Sequence, residues 1–192
     1  NKLVGLVGGD HSTPLGYYKA LSENNKSFGI LHIDAHQDLR NAYEGFTYSH
    51  ASIMYNAIQI EQVKKLVQVG IRDISPEEFA ITQDNSKLKT FFDWDLNDKK
   101  IEGIAWKNIV DEIIAELPEN VYISFDIDGL QQMYCPNTGT PVAGGLSFDE
   151  AIYLVRKVVD SGKKIIGFDL NEVAPNPNDK EWNANVGARV LF

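Results

Sequence analysis

The chain has a single cysteine, Cys135, among its 192 residues, so it cannot form an internal disulfide bond. Proteins without disulfides are typical of a reducing compartment, and we expect this one to act in the cytoplasm. Basic residues are also few: 18 Lys and Arg stand against 27 Asp and Glu, a formal net charge of −9. This charge argues against nucleic acid or an anionic membrane surface as a partner and is compatible with small cations and metal ions. Solubility alone explains the charge equally well.

Long apolar runs are absent as well. No segment approaches the ~20 consecutive apolar residues that a membrane-spanning helix needs, so we expect no membrane partner. The sequence instead has 43% hydrophobic residues spread along the chain. That content is enough for one domain with a single core.

Apolar segments of strand length alternate with amphipathic segments of helix length, an order that predicts an α/β fold with a mostly parallel sheet covered by helices. The predicted strands are residues 2–7, 27–34, 63–72, 120–126 and 163–170. The predicted helices are residues 14–25, 49–62, 106–117, 146–161 and 184–192. Ser147 is the expected cap of one helix, and another should begin at Ser75, where Pro76 and Glu78 follow. The polar segment 83–100 is predicted to be mostly loop, with at most a short strand at residues 90–92.

Four polar motifs lie at or just after the ends of predicted strands. They are Gly-Gly-Asp-His-Ser at residues 8–12, Asp-Ala-His-Gln-Asp at 34–38, Ser-Phe-Asp-Ile-Asp-Gly at 124–129 and Asp-Leu-Asn-Glu at 169–172. In parallel α/β sheets, ligands bind beyond the carboxyl ends of the strands, so these motifs should converge on one rim. Acids and imidazoles gathered without a basic residue among them indicate a cation, and we interpret the set as a two-metal hydrolase.

The motif at residues 34–38 carries the strongest metal signal. Asp34, His36 and Asp38 alternate along the chain, and in an extended segment this spacing places all three on one face. Carboxylate and imidazole ligands suit manganese, magnesium and similar divalent ions. The alternative is that Asp34 caps a turn and His36 is a packed histidine, which explains each residue singly but not the alternating set.

Asp126 and Asp128 repeat this spacing on another strand, and two such carboxylates repel each other unless a cation or a proton intervenes. A simple turn at Asp128-Gly129 explains Asp128 but not Asp126. His11, which follows two glycines, is a candidate further ligand. The four ligand aspartates would together balance two divalent ions, and such a pair would ionise a bridging water molecule at neutral pH.

Other polar residues near the rim allow two interpretations each. His50 is either a proton shuttle toward a leaving amine or a surface histidine at a helix start. Glu172 either binds a cationic substrate group or is a solvated loop acid. Asp10 either accepts a hydrogen bond from an imidazole or closes a turn. His32 alternates with Asp34 on one strand face, which allows a role as a metal ligand or as a partner of a ligand, but we interpret it as a packed strand histidine.

Together with Gly-Thr-Pro-Val-Ala-Gly-Gly-Leu at residues 139–146, these motifs resemble the ureohydrolase superfamily, which includes arginase, agmatinase and formimidoylglutamase. The resemblance implies an arginase-like, three-layer α/β/α fold with two Mn²⁺ ions, although other divalent metals are compatible with the ligands. It implies that one ion is held by His11, Asp34, Asp38 and Asp126, and the other by Asp34, His36, Asp126 and Asp128. It further implies a catalytic set of His50 as proton shuttle, Glu172 as guanidinium-binding residue, and Asp38.

The implied reaction is hydrolysis of the C–N bond of a small cationic guanidine or amidine. We expect agmatine, which would yield putrescine and urea, because the acid that arginases carry after Gly-Leu-Arg-Asp is missing after Asp73. Arg40 resembles the Asp-Leu-Arg of formimidoylglutamases and would suit a substrate carboxylate. Formimidoylglutamase and arginase therefore remain alternatives, and a non-catalytic metal-bound domain is an alternative of another class.

Two expectations on organisation follow from the same resemblance. Family members commonly form homo-oligomers, and we expect the same here. The chain is shorter than typical members and begins at Asn1 inside an apolar segment. We therefore expect residues 1–192 to form a single ureohydrolase domain that lacks its N-terminal strand–helix units.

Overall fold

The computed structural model describes residues 2–24 and 27–192 of the chain. These residues form a six-stranded sheet in the order β1-β6-β5-β2-β3-β4, and every neighbouring pair is parallel. The strands are β1 (Gly5–Val7), β2 (Phe28–Ile33), β3 (Val63–Ile71), β4 (Leu88–Phe92), β5 (Asn120–Asp126) and β6 (Lys164–Asn171). The helices are α1 (Leu15–Asn24), α2 (Ile53–Ile58), α3 (Pro76–Asp84), α4 (Asp93–Ile101), α5 (Trp106–Glu116), α6 (Phe148–Asp160) and α7 (Trp182–Leu191). The predicted α/β class with a parallel sheet is confirmed.

Alternate residues of the central strands pack into two separate hydrophobic cores, one on each face of the sheet. On β2, Leu31 and Ile33 face the core formed with α4, α5, α6 and α7, whereas Phe28 and Ile30 face the core formed with α1 and α2. Because side chains alternate between the two faces of a strand, this division places helices on both faces of the sheet. The arrangement is therefore a three-layer α/β/α fold.

Local sequence signals account for two helix starts. Ser75 and Ser147 each cap a helix, and each forms a reciprocal capping box with the glutamate three residues later, Glu78 and Glu150. Both pairs satisfy backbone N–H groups that the first helical turn leaves without partners. The predicted start at Ser75 and the predicted cap at Ser147 are confirmed.

The prediction that residues 83–100 are mostly loop is wrong. The segment contains β4 and most of α4, a polar helix in which Asp93 and Leu96 are the buried residues. Acids in its first turn and lysines in its last turn complement the helix dipole, which stabilises a helix with little apolar periodicity.

Several predicted boundaries also shift. Only Gly5–Val7 of the predicted first strand pairs with β6, and the predicted helix at 49–62 is a short 3₁₀ turn, His50–Ser52, followed by α2. The expected helical residue Asn25 and the strand-like start at Asn1 lie outside the described residues. Among the described residues, no helix combines the length and the apolar character needed to cross a bilayer.

Candidate metal centre

The four polar motifs meet at one edge of the sheet because their strands are neighbours in the order β1-β6-β5-β2. The motif residues that carry acids or imidazoles lie at or just after the carboxyl ends of these strands. The predicted ligands His11, Asp34, Asp38, Asp126 and Asp128 are all at least 95% buried, and His36 is partly exposed. The structure therefore gathers in one place side chains that are far apart in sequence.

The imidazole of His11 faces three carboxylates. Its Nδ1 atom lies 3.0 Å from Asp34 Oδ2, 3.2 Å from Asp126 Oδ2 and 3.4 Å from Asp38 Oδ2. Ligand atoms of His11, Asp34 and Asp38, together with one from His32, lie within 4.8 Å of one another. This spacing is compatible with one shared cation.

A second group of ligand atoms adjoins the first through Asp34. His36 Nδ1 lies 3.3 Å from Asp34 Oδ1 and 3.2 Å from Asp128 Oδ2. Ligand atoms of these three residues also lie within 4.8 Å of one another. Asp34 thus offers one oxygen to each group, which is the arrangement expected of a carboxylate between two ions.

Backbone amides hold three of the aspartates in a common way. Asp34 Oδ1 accepts from His36 N–H at 2.6 Å, Asp126 Oδ1 accepts from Asp128 N–H at 2.9 Å, and Asp128 Oδ1 accepts from Ala35 N–H at 3.1 Å. In each aspartate the other oxygen, Oδ2, faces an imidazole. The loops therefore direct Asp34 Oδ2 and Asp126 Oδ2 toward His11 Nδ1, and Asp128 Oδ2 toward His36 Nδ1.

The hydrogen bonds of His11 test whether the space beside its Nδ1 atom suits a metal ion. The Ser124 hydroxyl donates to the Asp169 carboxylate at 3.1 Å and lies 2.8 Å from His11 Nε2, so Nε2–H must donate to Ser124. In the neutral ring, Nδ1 then presents a lone pair to three carboxylates. Such a contact is repulsive unless a proton or a cation lies between the atoms. The donor set of oxygens and imidazole nitrogen fits a divalent metal.

The pKa shifts of the carboxylates and imidazoles in this cluster also arise from crowded negative charge in a buried place. Burial, followed by the charge of Asp34, raises the pKa of Asp38 well above its usual value, and burial with the charges of Asp128 and Asp34 does the same to the pKa of Asp126. Burial lowers the pKa of His36, but hydrogen bonds and charges of Asp128 and Asp34 outweigh it and raise that pKa to about 12. The cluster thus strongly favours positive charge at its centre.

Two residues of this region adopt a left-handed backbone conformation, which costs free energy in any residue other than glycine. Asp38 has φ 54° and Glu172 has φ 61°. Backbone hydrogen bonds hold both: Asp38 O accepts from Met54 and Tyr55 N–H, and Glu172 N–H donates to Gly9 O. Left-handed backbone outside glycine costs on the order of 1–2 kcal/mol per residue, so the surrounding structure enforces these positions.

A cavity of about 140 Å³ borders this cluster of carboxylates and imidazoles. Its lining residues are His11, His36, Asp38, Arg40, Tyr43, His50, Ala51, Asp73, Glu78, Asp126, Thr140 and Glu172. Glu172 Oε1 accepts from the backbone N–H of His11 at 2.9 Å, and the His50 ring packs edge-on to Tyr43. The structure therefore places His50 and Glu172 at the same cavity as Asp38 and Asp126.

Sequence reasoning gave no role to some residues that shape this centre. Ser124 and Asp169 orient His11, and Tyr18 from α1 donates to Ser124 at 2.9 Å. The alternation of Ser124 with Asp126 on one strand is the signal that could have found the first of them. Asp10 accepts from the backbone and hydroxyl of Ser12, which is the turn interpretation and not a contact with an imidazole.

Comparison with known proteins gives a consistent set of relatives. The model of the Arginase family matches residues 1–192. The chain is 35% identical over 175 residues to the N(1)-aminopropylagmatine ureohydrolase of Thermus thermophilus, covering 91% of this chain and 56% of that protein. It is 32% identical to an agmatinase of Halalkalibacterium halodurans, with 92% and 58% covered, and 30% identical to a guanidinobutyrase of Pseudomonas aeruginosa, with 97% and 57% covered.

Among solved structures, the proclavaminate amidino hydrolase from Streptomyces clavuligerus superimposes with a TM-score of 0.84 at 26% identity, covering 98% of this chain and 62% of that chain. The chain thus spans a little over half the length of the curated relatives named above. The match to the family model over all 192 residues, together with the α/β/α architecture, shows that the chain belongs to the arginase family.

Proposed function

We propose that this protein is a binuclear metal-dependent hydrolase that cleaves a C–N bond of a linear guanidine or amidine, with agmatine as its substrate. The observation that carries the proposal is the position of His11 Nδ1, which lies within 3.4 Å of three buried carboxylates. Agmatinase and aminopropylagmatine ureohydrolase among the relatives support the reaction class.

The proposed cofactor is a pair of Mn²⁺ ions. His11, Asp34, Asp38 and Asp126 would hold one ion, and Asp34, His36, Asp126 and Asp128 would hold the other. When bound, two divalent ions lower the pKa of a water molecule between them and so supply a nucleophile at neutral pH. The four aspartates would offset the charge of the two ions, which favours two ions over one in this buried place.

Glu172 is the proposed binding residue for the guanidinium group. One of its oxygens accepts from His11 N–H, and the carboxylate lines the cavity above the proposed ligands. Its left-handed backbone is tied to Gly9, so the carboxylate has a defined direction. A carboxylate held in this way can accept paired hydrogen bonds from a planar guanidinium, which orients the carbon toward the ligand cluster.

His50 is the proposed proton carrier, and Asp38 completes the proposed catalytic set. His50 lies at the first residue of a 3₁₀ turn, and its ring packs at 5.6 Å against Tyr43 on the cavity wall. An imidazole there can donate a proton to the departing amine, which leaves more easily as a neutral molecule. Asp38, whose carboxylate borders the same cavity, would contribute to the charge that balances the ions.

Arg40 favours a second candidate, a substrate with a carboxylate at its far end. Its side chain is 45% exposed and lines the cavity, and Nε lies 3.8 Å from Glu78 Oε2. Glu78 already accepts from Ser75 and from Leu39 N–H, so the Arg40 guanidinium retains donors for a ligand. Guanidinobutyrate and formimidoylglutamate would meet this cation, whereas Asp73 on the same cavity would suit the ammonium of agmatine.

A substrate panel tests these candidates. The Mn²⁺-loaded protein is assayed for urea from agmatine, guanidinobutyrate and arginine, and for formamide or ammonia from formimidoylglutamate. Urea from agmatine in excess of the others supports the main proposal. Preference for a carboxylate substrate that is lost in Arg40→Met, but kept in the exposed control Lys89→Met, supports the second. Bound metal without turnover of any substrate would overturn both and favour a non-catalytic domain.

We further propose that the protein acts in the cytoplasm as a homo-oligomer. The single cysteine supports a reducing compartment, and the oligomer is proposed from the family resemblance alone. Light scattering on the purified protein gives its mass in solution. A mass equal to one chain of 21.5 kDa at micromolar concentration would contradict the oligomer.

A further inference from the structure

We propose that His32 is a positioning residue for Asp34, and that a buried hydrogen-bond chain through Gln68 and Thr90 sets its tautomer. The proposal rests on the proposed function only in taking Asp34 as a metal ligand. Sequence reasoning treated His32 as a packed strand histidine, yet in the structure it is fully buried with polar partners at both ring nitrogens. Packing alone does not require those partners.

This chain of hydrogen bonds crosses three neighbouring strands at one level of the sheet. Thr90 on β4, Gln68 on β3 and His32 on β2 are register partners, so their side chains lie side by side on one face. Thr90 Oγ1 donates to Gln68 Oε1 at 3.0 Å, Gln68 Nε2 lies 3.0 Å from His32 Nδ1, and His32 Nε2 lies 2.7 Å from Asp34 Oδ2. A continuous path thus joins the outer part of the sheet to Asp34.

The direction of each hydrogen bond follows from one backbone group. Gln68 Nε2 also lies 2.8 Å from the carbonyl oxygen of Gln37, which can only accept. The atom that faces His32 Nδ1 is therefore the amide nitrogen, and Nδ1 must accept. The hydrogen of the neutral His32 ring is then on Nε2, and it donates to Asp34 Oδ2.

This tautomer assigns a role to His32. Although one His32 nitrogen lies within the 4.8 Å ligand group, Nε2 carries a hydrogen and so does not bind the ion. Its hydrogen bond instead orients the Asp34 carboxylate, whose Oδ1 is held by His36 N–H. Hydrogen-bond partners of this kind typically change metal affinity by about 10- to 100-fold when removed.

Long-range ¹H–¹⁵N NMR of the metal-free protein tests the tautomer directly. We expect His32, assigned by comparison with His32→Gln, to carry its hydrogen on Nε2. In Gln68→Glu, a carboxylate facing Nδ1 should accept from the ring, so Nδ1 should gain a hydrogen. Hydrogen on Nδ1 in the unaltered protein, or an unchanged spectrum in Gln68→Glu, would overturn the proposal whether or not the protein has activity.

Mn²⁺ titration tests the positioning role. Gln in place of His keeps an N–H near the Nε2 position, so His32→Gln should bind Mn²⁺ within a few-fold of the unaltered protein, whereas His32→Phe should bind about 10- to 100-fold more weakly. Val67→Ala, on the opposite face of β3, is the control for loss of packing and should keep its Mn²⁺ affinity. Equal affinity of both His32 variants would overturn the proposal.

Two further results separate the possible failures. If His32→Phe does not fold, the NMR spectrum of Gln68→Glu still decides the proposal, because that variant keeps His32 and changes only the group that faces its Nδ1 atom. A confirmed tautomer in a protein that turns over no substrate would overturn only the proposed function.

Discussion

The Arg72 guanidinium donates from Nη2 to the backbone carbonyl of Asp128 at 2.7 Å. The same side chain donates to four other backbone carbonyls, those of Gly70, Leu130, Val142 and Ala143. Arg72 therefore joins the end of β3, the loop after β5 and the loop at residues 139–146. Gly145, at φ 97°, packs so closely that a Cβ there would lie 2.9 Å from Arg72 Cζ.

Replacing Arg72 by methionine should weaken metal binding on one side of the centre. The loop that carries Asp128 would lose its hydrogen bond from Arg72, whereas His11 and Asp38 have no contact with Arg72 to lose. We expect Arg72→Met to lose one of the two proposed ions in preference, with affinity reduced about 10- to 100-fold, and Arg72→Lys to be intermediate. Metal analysis after dialysis, with a thermal melt to verify folding, measures the effect. Equal loss of both ions would contradict an effect confined to Asp128.

Asp126→Asn should remove at least one metal ion and nearly all activity. The change deletes the charge of a buried oxygen that lies 3.2 Å from His11 Nδ1, while the amide keeps the size of the side chain. Metal content and urea release measure the result, and Asp111→Asn on the exposed face of α5 is the matched control. Full activity in Asp126→Asn would eliminate the proposed bridging role.

His50→Asn should slow turnover and leave metal content intact. The imidazole lines the cavity beside Tyr43, whereas the ligand groups are formed by other residues. Removing a general acid typically costs about 10²- to 10⁴-fold in kcat. Rate measurements with parallel metal analysis separate the two effects. Loss of metal from this variant would make His50 a ligand and not a proton carrier.

Glu150 should make the stability of the fold depend on acid pH. Burial raises its pKa, but hydrogen bonds from Lys100 and Ser147 outweigh burial and lower the pKa below its ordinary 4.5. A lowered pKa in the folded state means that Glu150 contributes stability above about pH 4.5, and that this contribution is lost as pH falls through the folded-state pKa. Glu150→Gln should therefore cost about 1 kcal/mol at neutral pH and less in acid.

Urea unfolding at several pH values measures this dependence. Asp149→Asn, an exposed acid in the same first turn of α6, is the control and should change the pH dependence less. A constant difference between Glu150→Gln and the unaltered protein from neutral pH to below pH 4 would show that the carboxylate charge is not responsible.

Local signals in the sequence were enough to predict most of the fold. Strands such as β2 and β5 are apolar runs of the expected length. The helix caps Ser75 and Ser147 each pair with a glutamate only three residues later in the sequence. Helix α4 escaped prediction because its burial depends mainly on Leu96, so the apolar periodicity was too weak to detect.

The proposed ligands were predicted because their residue types are unusual together and follow strand ends. His32 and Arg72 could not be assigned in the same way. The partner of His32 on β3 is set by strand register across a separation of 36 residues, which no local pattern records. The partners of Arg72 are backbone carbonyls, and these are present whatever the side chains are.

The hydrogen bond from His11 N–H to Glu172 closes a loop of 161 residues, and every strand pairing in the described sheet is parallel. Contacts between such distant parts of a chain form slowly, because closure entropy is lost before they can stabilise the structure. A partly folded chain would therefore have no complete site for the proposed ions. Their binding would come last and would stabilise the native state by mass action, since such a ligand binds the native state and not the unfolded chain.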